Sequence, residues 1–599
     1  MIENDEIIND PTDVANVLND FFKNAVHKLN IATPIEHITD TDDLVDPIEI
    51  AIQKYKNHPS IKKISEIVQD KNRTSSFSFN PTSVTEIEHI VKKLNPRKSG
   101  TYNDIPCFIL KEFSGDLCKF ITDIINDCIS NSDFPKDMKK ADITPVFKDT
   151  DRTLKSKYRP VSLLPIISKL FERVMSNQIT VFIEAFLSQY LCGYRKGYST
   201  QHALTLLVEK WKKALDNRGY AGAVLMDLSK AFETLDFELL IAKLHAYGFD
   251  DKSLKLIFSY LTDRWQRTKV DNKFSSWSEL LQGVPQGSIL GPLLFNIYLN
   301  DLFYFINDTD VCNYADDTSL YAVDFYLNNL VNRLEKETDV CAKWYYWNYM
   351  ALNGGKCHFL IGGAKDEIFT IQINGNTVTE TEIERLLGIK IDNRLKFDSH
   401  VKMICKIAGQ KINALCRQCK ILPFNKRKLL VNSYFESIFE YGKLLWMFVS
   451  RKMNNKINQL HCRALRIVYR NYDLNFNELL YMDGSCTIHH RCIKSLAIEL
   501  YKCKNELSPK IMNNVFRSKA DCNRQTRNNN FFYCFNNPKT DLYGIRSLSY
   551  FGPIVWNMLP NSAKDANSLS IFKNQISSWK IDNCECRLCK SYIKSFGFV

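Results

Sequence analysis

Two neighbouring carboxylates, Asp316 and Asp317, stand between the short apolar runs Val311-Cys312 and Leu320-Tyr321. Aspartate favours turns, because its side chain bonds nearby backbone and tolerates unusual dihedrals. The stretch Asn313–Tyr321 therefore predicts a tight β-hairpin that lifts both carboxylates on its tip. Taken alone, an Asp-Asp pair is ordinarily a solvated turn. A third carboxylate alters that reading: Asp227 closes the apolar run Ala223-Val224-Leu225-Met226. Three carboxylates that cannot be cheaply buried unpaired call for cations between them. Mg²⁺ takes carboxylate, water and phosphate oxygens, with Mn²⁺ as an alternative, so the chemistry indicated is two-metal phosphoryl transfer.

The elements around these residues are readable from pattern and punctuation. Ala223–Met226 reads as a strand, after which Asp236 caps a helix that Gly248 stops. Asp227 would then sit at a strand's C-terminal end, where α/β architectures commonly place ligands. Ile143–Lys148 is a strand candidate, followed by a polar stretch to Lys155-Ser156-Lys157-Tyr158-Arg159-Pro160. Lys148 and Arg159 would share a basic hairpin, and a planar guanidinium suits Arg159 to clamp a triphosphate; an ordinary surface arginine is the alternative. Gly193-Tyr194-Arg195-Lys196-Gly197-Tyr198-Ser199 leads into a helix capped by Ser199, with Ala203, Leu206, Leu207 and Trp211 on one face. Arg195 and Lys196, set between tyrosines in a glycine loop, could grip a nucleic-acid backbone. Gln282–Ser288 is a rigid turn before an apolar helix. Its glycines let backbone approach a ligand, and Gln286 can bond a sugar or base. Further on, a helix is predicted from about Tyr326 to Trp347, and a turn and strand at Asn353–Phe359 present Lys356.

The chain has 599 residues, too many for one core. Its hydrophobic content of 45% is that of a folded protein rather than a disordered one. The net charge of +12 is unevenly spread: about −6 over residues 1–80, about −2 over 81–400 and about +20 over 401–599. A basic C-terminal third beside a near-neutral catalytic candidate suggests a polyanion held by the tail. No run of about 18 apolar residues is present, and the acidic N-terminus lacks a signal core. The expected setting is intracellular, nucleus or cytoplasm, not secreted and with no membrane partner, its 19 cysteines reduced.

Taken in order, Tyr158-Arg159-Pro160-Val161-Ser162-Leu163, Gly193–Thr200, Asp227-Leu228-Ser229-Lys230-Ala231-Phe232, Gly283-Val284-Pro285-Gln286-Gly287-Ser288 and Tyr314-Ala315-Asp316-Asp317 resemble the reverse transcriptase of non-LTR (LINE-type) retrotransposons, particularly the jockey-like group. The resemblance covers residues 85–480 most strongly. It implies an α+β right-hand polymerase of fingers, palm and thumb, with a mainly antiparallel palm sheet and a helical basic C-terminal region. The expected division is 1–80 connector, 81–400 fingers and palm, 401–480 helical thumb, and 481–599 a basic region with a Cys-rich end. By resemblance, Asp227 is the first metal-binding aspartate, assisted by the Leu228 carbonyl, and Asp316 and Asp317 are the second carboxylate pair. Phe232 falls at the aromatic gate against a ribose 2′-OH. Gln286 and Gly287 match the turn against the incoming nucleotide and template, Lys148 and Arg159 the triphosphate contacts, and Lys356 the lysine that protonates pyrophosphate.

The implied function is an RNA-directed DNA polymerase using an RNA template, a DNA primer or target, and dNTPs. Two rivals are a catalytically silent nucleic-acid-binding remnant and an RNA-templated RNA polymerase, the latter opposed by Phe232. The chain departs from the family after the gate, reading Glu233-Thr234-Leu235-Asp236-Phe237 where Asp-Thr-Val-Asp-His is common, and modest effects are expected. The family's upstream endonuclease domain has no counterpart in residues 1–80, which points to a truncated element or an endonuclease acting in trans. Cys584, Cys586 and Cys589 suggest a zinc knuckle, but a structural Zn²⁺ site wants four ligands and no obvious fourth follows. Unliganded thiols are the favoured reading there.

Overall fold

The computed structural model describes residues 1–3, 6–24, 46–71, 76–97, 100–101, 104–148, 150–518, 532 and 537–579. Helices and strands mix throughout this α+β chain, which divides into two units built from separated stretches. One unit holds residues 1–188, 227–307 and 339–353; the other holds 189–226, 308–338 and 354–599. The cysteines at 584, 586 and 589 lie outside the described residues.

In the first unit, strand Lys140–Phe147 pairs antiparallel with Tyr158–Leu163 and parallel with Arg264–Val270. Residues 1–80, expected to be a connector, contribute packed helices to this unit. Asp10 caps helix Pro11–Lys23, whose Leu18 and Phe22 bury against Ala141, Ile143 and Leu164. Asn19 on the same helix is buried and fully used. Its amide donates to Ser278 Oγ at 3.0 Å and its carbonyl accepts from Thr268 Oγ1 at 3.1 Å. Helices Pro47–Tyr55 and Pro59–Asp70 both begin with proline, whose fixed φ suits a first turn. They pack on helix Phe237–Ala246, capped by Asp236 as its sequence predicts. Deep in this unit Lys243 Nζ lies 2.7 Å from Asp301 Oδ1, and the Trp344 indole donates to Asp301 Oδ2 at 2.7 Å. A buried ion pair needs such additional bonds to offset desolvation.

The second unit is organised on a six-stranded sheet ordered Asp310–Tyr314, Asp317–Asp324, Tyr220–Met226, His358–Gly362, Asn376–Thr381, Thr370–Ile373. Every neighbouring pair is antiparallel except His358–Gly362 with Asn376–Thr381. Strand Tyr220–Met226 reads as one apolar run because both faces are covered. Ala221, Ala223 and Leu225 share a core with Leu204, Leu207 and Trp211 of helix Thr200–Asp216. On the opposite side Gly222 leaves room for Leu334, whose Cδ1 would lie 2.7 Å from a Cβ at that position. Helices Asp398–Gln418, Arg451–Tyr469, Ile488–Lys504 and Leu548–Met558 bury their apolar faces in this same core. Residues beyond 481 are thus integral to the unit through Ile493, Leu496 and Leu500, while Lys494 and Lys502 stay at its surface. Among the described residues, no helix is long and apolar enough to cross a membrane.

Candidate active site

The Asp-Asp hairpin forms as predicted. Tyr314 pairs with Asp317, so Ala315 and Asp316 make a two-residue connection. Only Asp316 sits at the tip; Asp317 is already the first residue of the return strand. Both are exposed. Ala315 has φ +60°, a left-handed conformation costing a non-glycine residue roughly 1–2 kcal/mol.

Two features that sequence reasoning missed hold this turn. The buried Asn313 amide donates to Ala315 O at 3.0 Å, Thr318 Oγ1 at 2.9 Å and Asp317 O at 3.4 Å. Gly193 lies so near that a Cβ there would be 2.2 Å from Ala315 N, and Leu191 bridges to Asn313. The glycine loop is thereby laid against the hairpin. Burial first, and then Asp316, Tyr314 and Asp317, push the Tyr194 hydroxyl above its ordinary pKa. Arg195 packs its guanidinium 4.4 Å from the Tyr198 ring centroid and donates to Leu191 O at 3.1 Å, while Lys196 is exposed.

The return strand Asp317–Asp324 runs against Tyr220–Met226 with Thr318 opposite Met226. Asp227 follows Met226 directly, as Asp317 directly precedes Thr318. Asp227 is half-buried and its carbonyl accepts from Asn353 N at 2.9 Å. Leu228 is buried opposite Leu352 in a short antiparallel ladder. Lys356 is exposed at the end of a single 3₁₀ turn, Gly354–Lys356, that precedes strand His358–Gly362. Among the described residues, no three His, Cys, Asp or Glu side chains gather into a ready-made metal cage.

The first unit assembles the other predicted group. Phe232 is half-buried and stacks on Phe295, centroids 4.5 Å apart at 22°. Val284 N donates to Phe232 O at 3.0 Å and Gly283 N to Leu235 O at 3.2 Å, tying the gate segment to the glycine turn. A Cβ on Gly283 would meet Glu233 Cα at 2.6 Å, so glycine is required there. Gln286 Nε2 donates to Glu233 Oε1 at 2.9 Å. The departure at Glu233 therefore has a structural consequence, because this carboxylate orients Gln286. Gln286 O accepts from Ser162 N at 2.7 Å, and Gly287, at φ +131°, faces Ser162 O, 2.5 Å from where a Cβ would stand. Arg159, three residues before Ser162, is exposed opposite Val146, and Lys148 is exposed just past the partner strand.

Glu172 is a second positioning group that sequence did not single out. Burial pushes its carboxyl above the usual range, although it accepts from Ile289 N at 2.6 Å and Leu290 N at 3.1 Å at the start of the helix after the turn. Glu233 could have been noticed as the residue next to the gate. Asn19 and Glu172 carry no local signal, since their partners are set by tertiary approach, whereas Asn313 bonds within its own hairpin.

Residues 138–391 match the family model described as reverse transcriptase (RNA-dependent DNA polymerase). The chain is 27% identical over 410 residues to a probable RNA-directed DNA polymerase from transposon BS of Drosophila melanogaster, covering 66% of this chain and 45% of that protein. It is 25% identical over 409 residues to the RNA-directed DNA polymerase from mobile element jockey of Drosophila melanogaster, covering 65% and 44%. A probable RNA-directed DNA polymerase from the Drosophila melanogaster X-element is 25% identical over 68% of this chain and 46% of its own length. The chain spans less than half the length of these relatives. Over residues 138–391 the chain is thus similar to the reverse transcriptase family, and over about two thirds of its length to polymerases of the jockey, BS and X-element mobile elements.

Proposed function

We propose that the chain is an RNA-directed DNA polymerase that adds deoxynucleotides to a DNA 3′-OH on an RNA template, within a right-hand arrangement. In this reading the six-stranded sheet is the palm. Residues 81–400 supply fingers and palm, 401–480 the thumb, and 481–599 the basic region that grips nucleic acid. The observation that carries it is the strand register: Met226 faces Thr318, and each is chain neighbour to a carboxylate, Asp227 on one strand and Asp317 on the other.

Asp227, Asp316, Asp317 and the Leu228 carbonyl would hold the divalent ions. Their hard oxygen donors fit Mg²⁺, which completes its shell with water and substrate phosphate rather than an all-protein cage. When bound, such ions lower the pKa of the primer hydroxyl and stabilise the leaving pyrophosphate. The chain's own residues do the positioning. Phe232, braced by Phe295, fills the space a 2′-OH would need. Gln286, turned by Glu233, presents its amide oxygen toward sugar or base. Lys148 and Arg159 hold the triphosphate, Arg195 and Lys196 the template–primer backbone, and Lys356 donates a proton to pyrophosphate.

Primer extension on poly(rA)/oligo(dT) with Mg²⁺ tests this. dTTP is incorporated, UTP is strongly disfavoured, and Asp316→Ala abolishes synthesis. Binding of template–primer without any incorporation by the unaltered chain would instead identify a silent remnant.

A further inference from the structure

The second unit contains a cavity of about 590 Å³ away from the aspartate tip. That volume falls within the ~300–1,000 Å³ typical of small-ligand sites. Its walls come from helix Thr200–Asp216, the end of the catalytic hairpin remote from its turn, and residues 514–517 and 538–550.

The four carboxylates in these walls are already occupied. Glu209 accepts from Leu548 N and Ser549 N, both at 2.9 Å. Asp216 accepts from Thr540 N at 2.7 Å and Thr540 Oγ1 at 2.8 Å. Asp310 pairs with Lys210, and Asp324 pairs with Arg333 while capping Tyr326 N at 2.9 Å. Donors and the ring face of Phe325 are what remain, since Lys210 lies over the Tyr321 ring. Lys213 is exposed at the cavity, and no ion pair to it is present among the described residues. The buried Tyr321 hydroxyl has no hydrogen-bond partner among the described residues, a costly state for a polar group. Burial, together with Asp310, holds this phenol protonated, so it can only gain by donating. Phe325 is 68% exposed at the rim, and an unpartnered ring face suits stacking.

A ligand matching this inventory has a flat π-surface, acceptors on its edge and an anionic group. We propose that the cavity binds a nucleotide, its base stacked on the exposed Phe325 ring with an edge acceptor toward the Tyr321 hydroxyl, and its phosphate on Lys213. Both a free nucleotide and one nucleotide of a single-stranded RNA offer that chemistry. The site is independent of the polymerase reading, since none of its residues belongs to the aspartate centre.

Photo-crosslinking of the full chain tests it, using 8-azido-AMP in one arm and single-stranded oligo(rA) carrying one 8-azidoadenosine in the other, with labelled peptides mapped. Label is expected on 321–325 or 543–550, at least fivefold reduced by Lys213→Glu and by Phe325→Ala, both surface changes that leave the core intact. Tyr321→Phe removes only one hydroxyl and is expected to weaken labelling about fivefold, the effect of one hydrogen bond. Labelling by 8-azido-AMP identifies a free-nucleotide site, and labelling by the oligonucleotide alone identifies a strand contact. Asp316→Ala is expected to label as the unaltered chain does, so loss of synthesis and loss of this site are separable. Absence of label in both arms, or label indifferent to all three substitutions, overturns the proposal.

Discussion

Asn313→Ala is the sharpest structural test of how the carboxylate pair is aimed. The substitution deletes amide bonds to Ala315 O, Asp317 O and Thr318 Oγ1, all inside the protein. Each such bond contributes about 0.5–1.5 kcal/mol net, so the turn loses on the order of 2–3 kcal/mol. That loss falls on a connection already strained by Ala315 at φ +60°. If the hairpin relaxes, the carboxylates leave their aim and the rate falls by about 30–100-fold at roughly 1.4 kcal/mol per tenfold. The assay is single-turnover dTTP incorporation at saturating template–primer, which separates the chemical step from binding. Ala315→Gly relieves the left-handed strain, about 1 kcal/mol, and is expected to return part of the rate in the double variant. Asn313→Asp, nearly isosteric but with acceptors facing two carbonyls, should be at least as damaging as alanine. An unaltered single-turnover rate in both variants would refute the assignment of Asn313 as the strut.

Other predictions follow the same geometry. Phe232→Val should raise ribonucleotide incorporation on the order of 10²-fold relative to deoxynucleotide, read by competition of UTP with dTTP, because steric rejection amounts to a few kcal/mol; unchanged discrimination would remove Phe232 from the gate. Glu233→Gln breaks the fixed sense of the Gln286 amide and should raise KM for dNTP several-fold with a smaller effect on kcat, whereas equal losses in both would point to general damage. Glu499 is pushed up by burial, yet bonds to His202 and Ser508 and the charge of Lys502 outweigh this and hold it at about 2. Its folded value lies below the ~4.3 of an unfolded glutamate, so it contributes stability above that pH and loses it as pH falls toward 2. Denaturation of the wild type and Glu499→Gln should therefore converge below about pH 4, and a gap that stays constant down to pH 3 would contradict this. Lys402→Glu and Lys406→Glu, both exposed on helix Asp398–Gln418, should each lower the slope of log affinity against log salt for RNA by about one, and an unchanged slope would exclude this face from the RNA contact.

Much of the fold could be read locally. Ser199 and Asp236 cap the helices their positions predict. These features rest on side chains bonding backbone within a few residues, which sequence displays directly. The hairpin was legible too, although its strained alanine was not, since Asn313 and Gly193 permit it from outside the turn. Residues 1–80 were expected to be a connector; that Asn19 is buried among Thr268 and Ser278 depends on a sheet more than two hundred residues away. The basic count beyond residue 401 was visible, but Ile493, Leu496 and Leu500 anchor that region in the same core as Trp211, a fact of packing rather than composition.

The central claim is that Asp227 and the Asp316–Asp317 pair share divalent ions beside a primer terminus. Anomalous diffraction from a crystal of the full chain with RNA–DNA template–primer, dTTP and Mn²⁺, using a dideoxy-terminated primer, tests it directly. Manganese peaks bridged by Asp227 and Asp317 carboxylates are predicted, with Thr318 still opposite Met226. Metal bound elsewhere, with Asp227 and Asp317 too far apart to share an ion, would contradict the account.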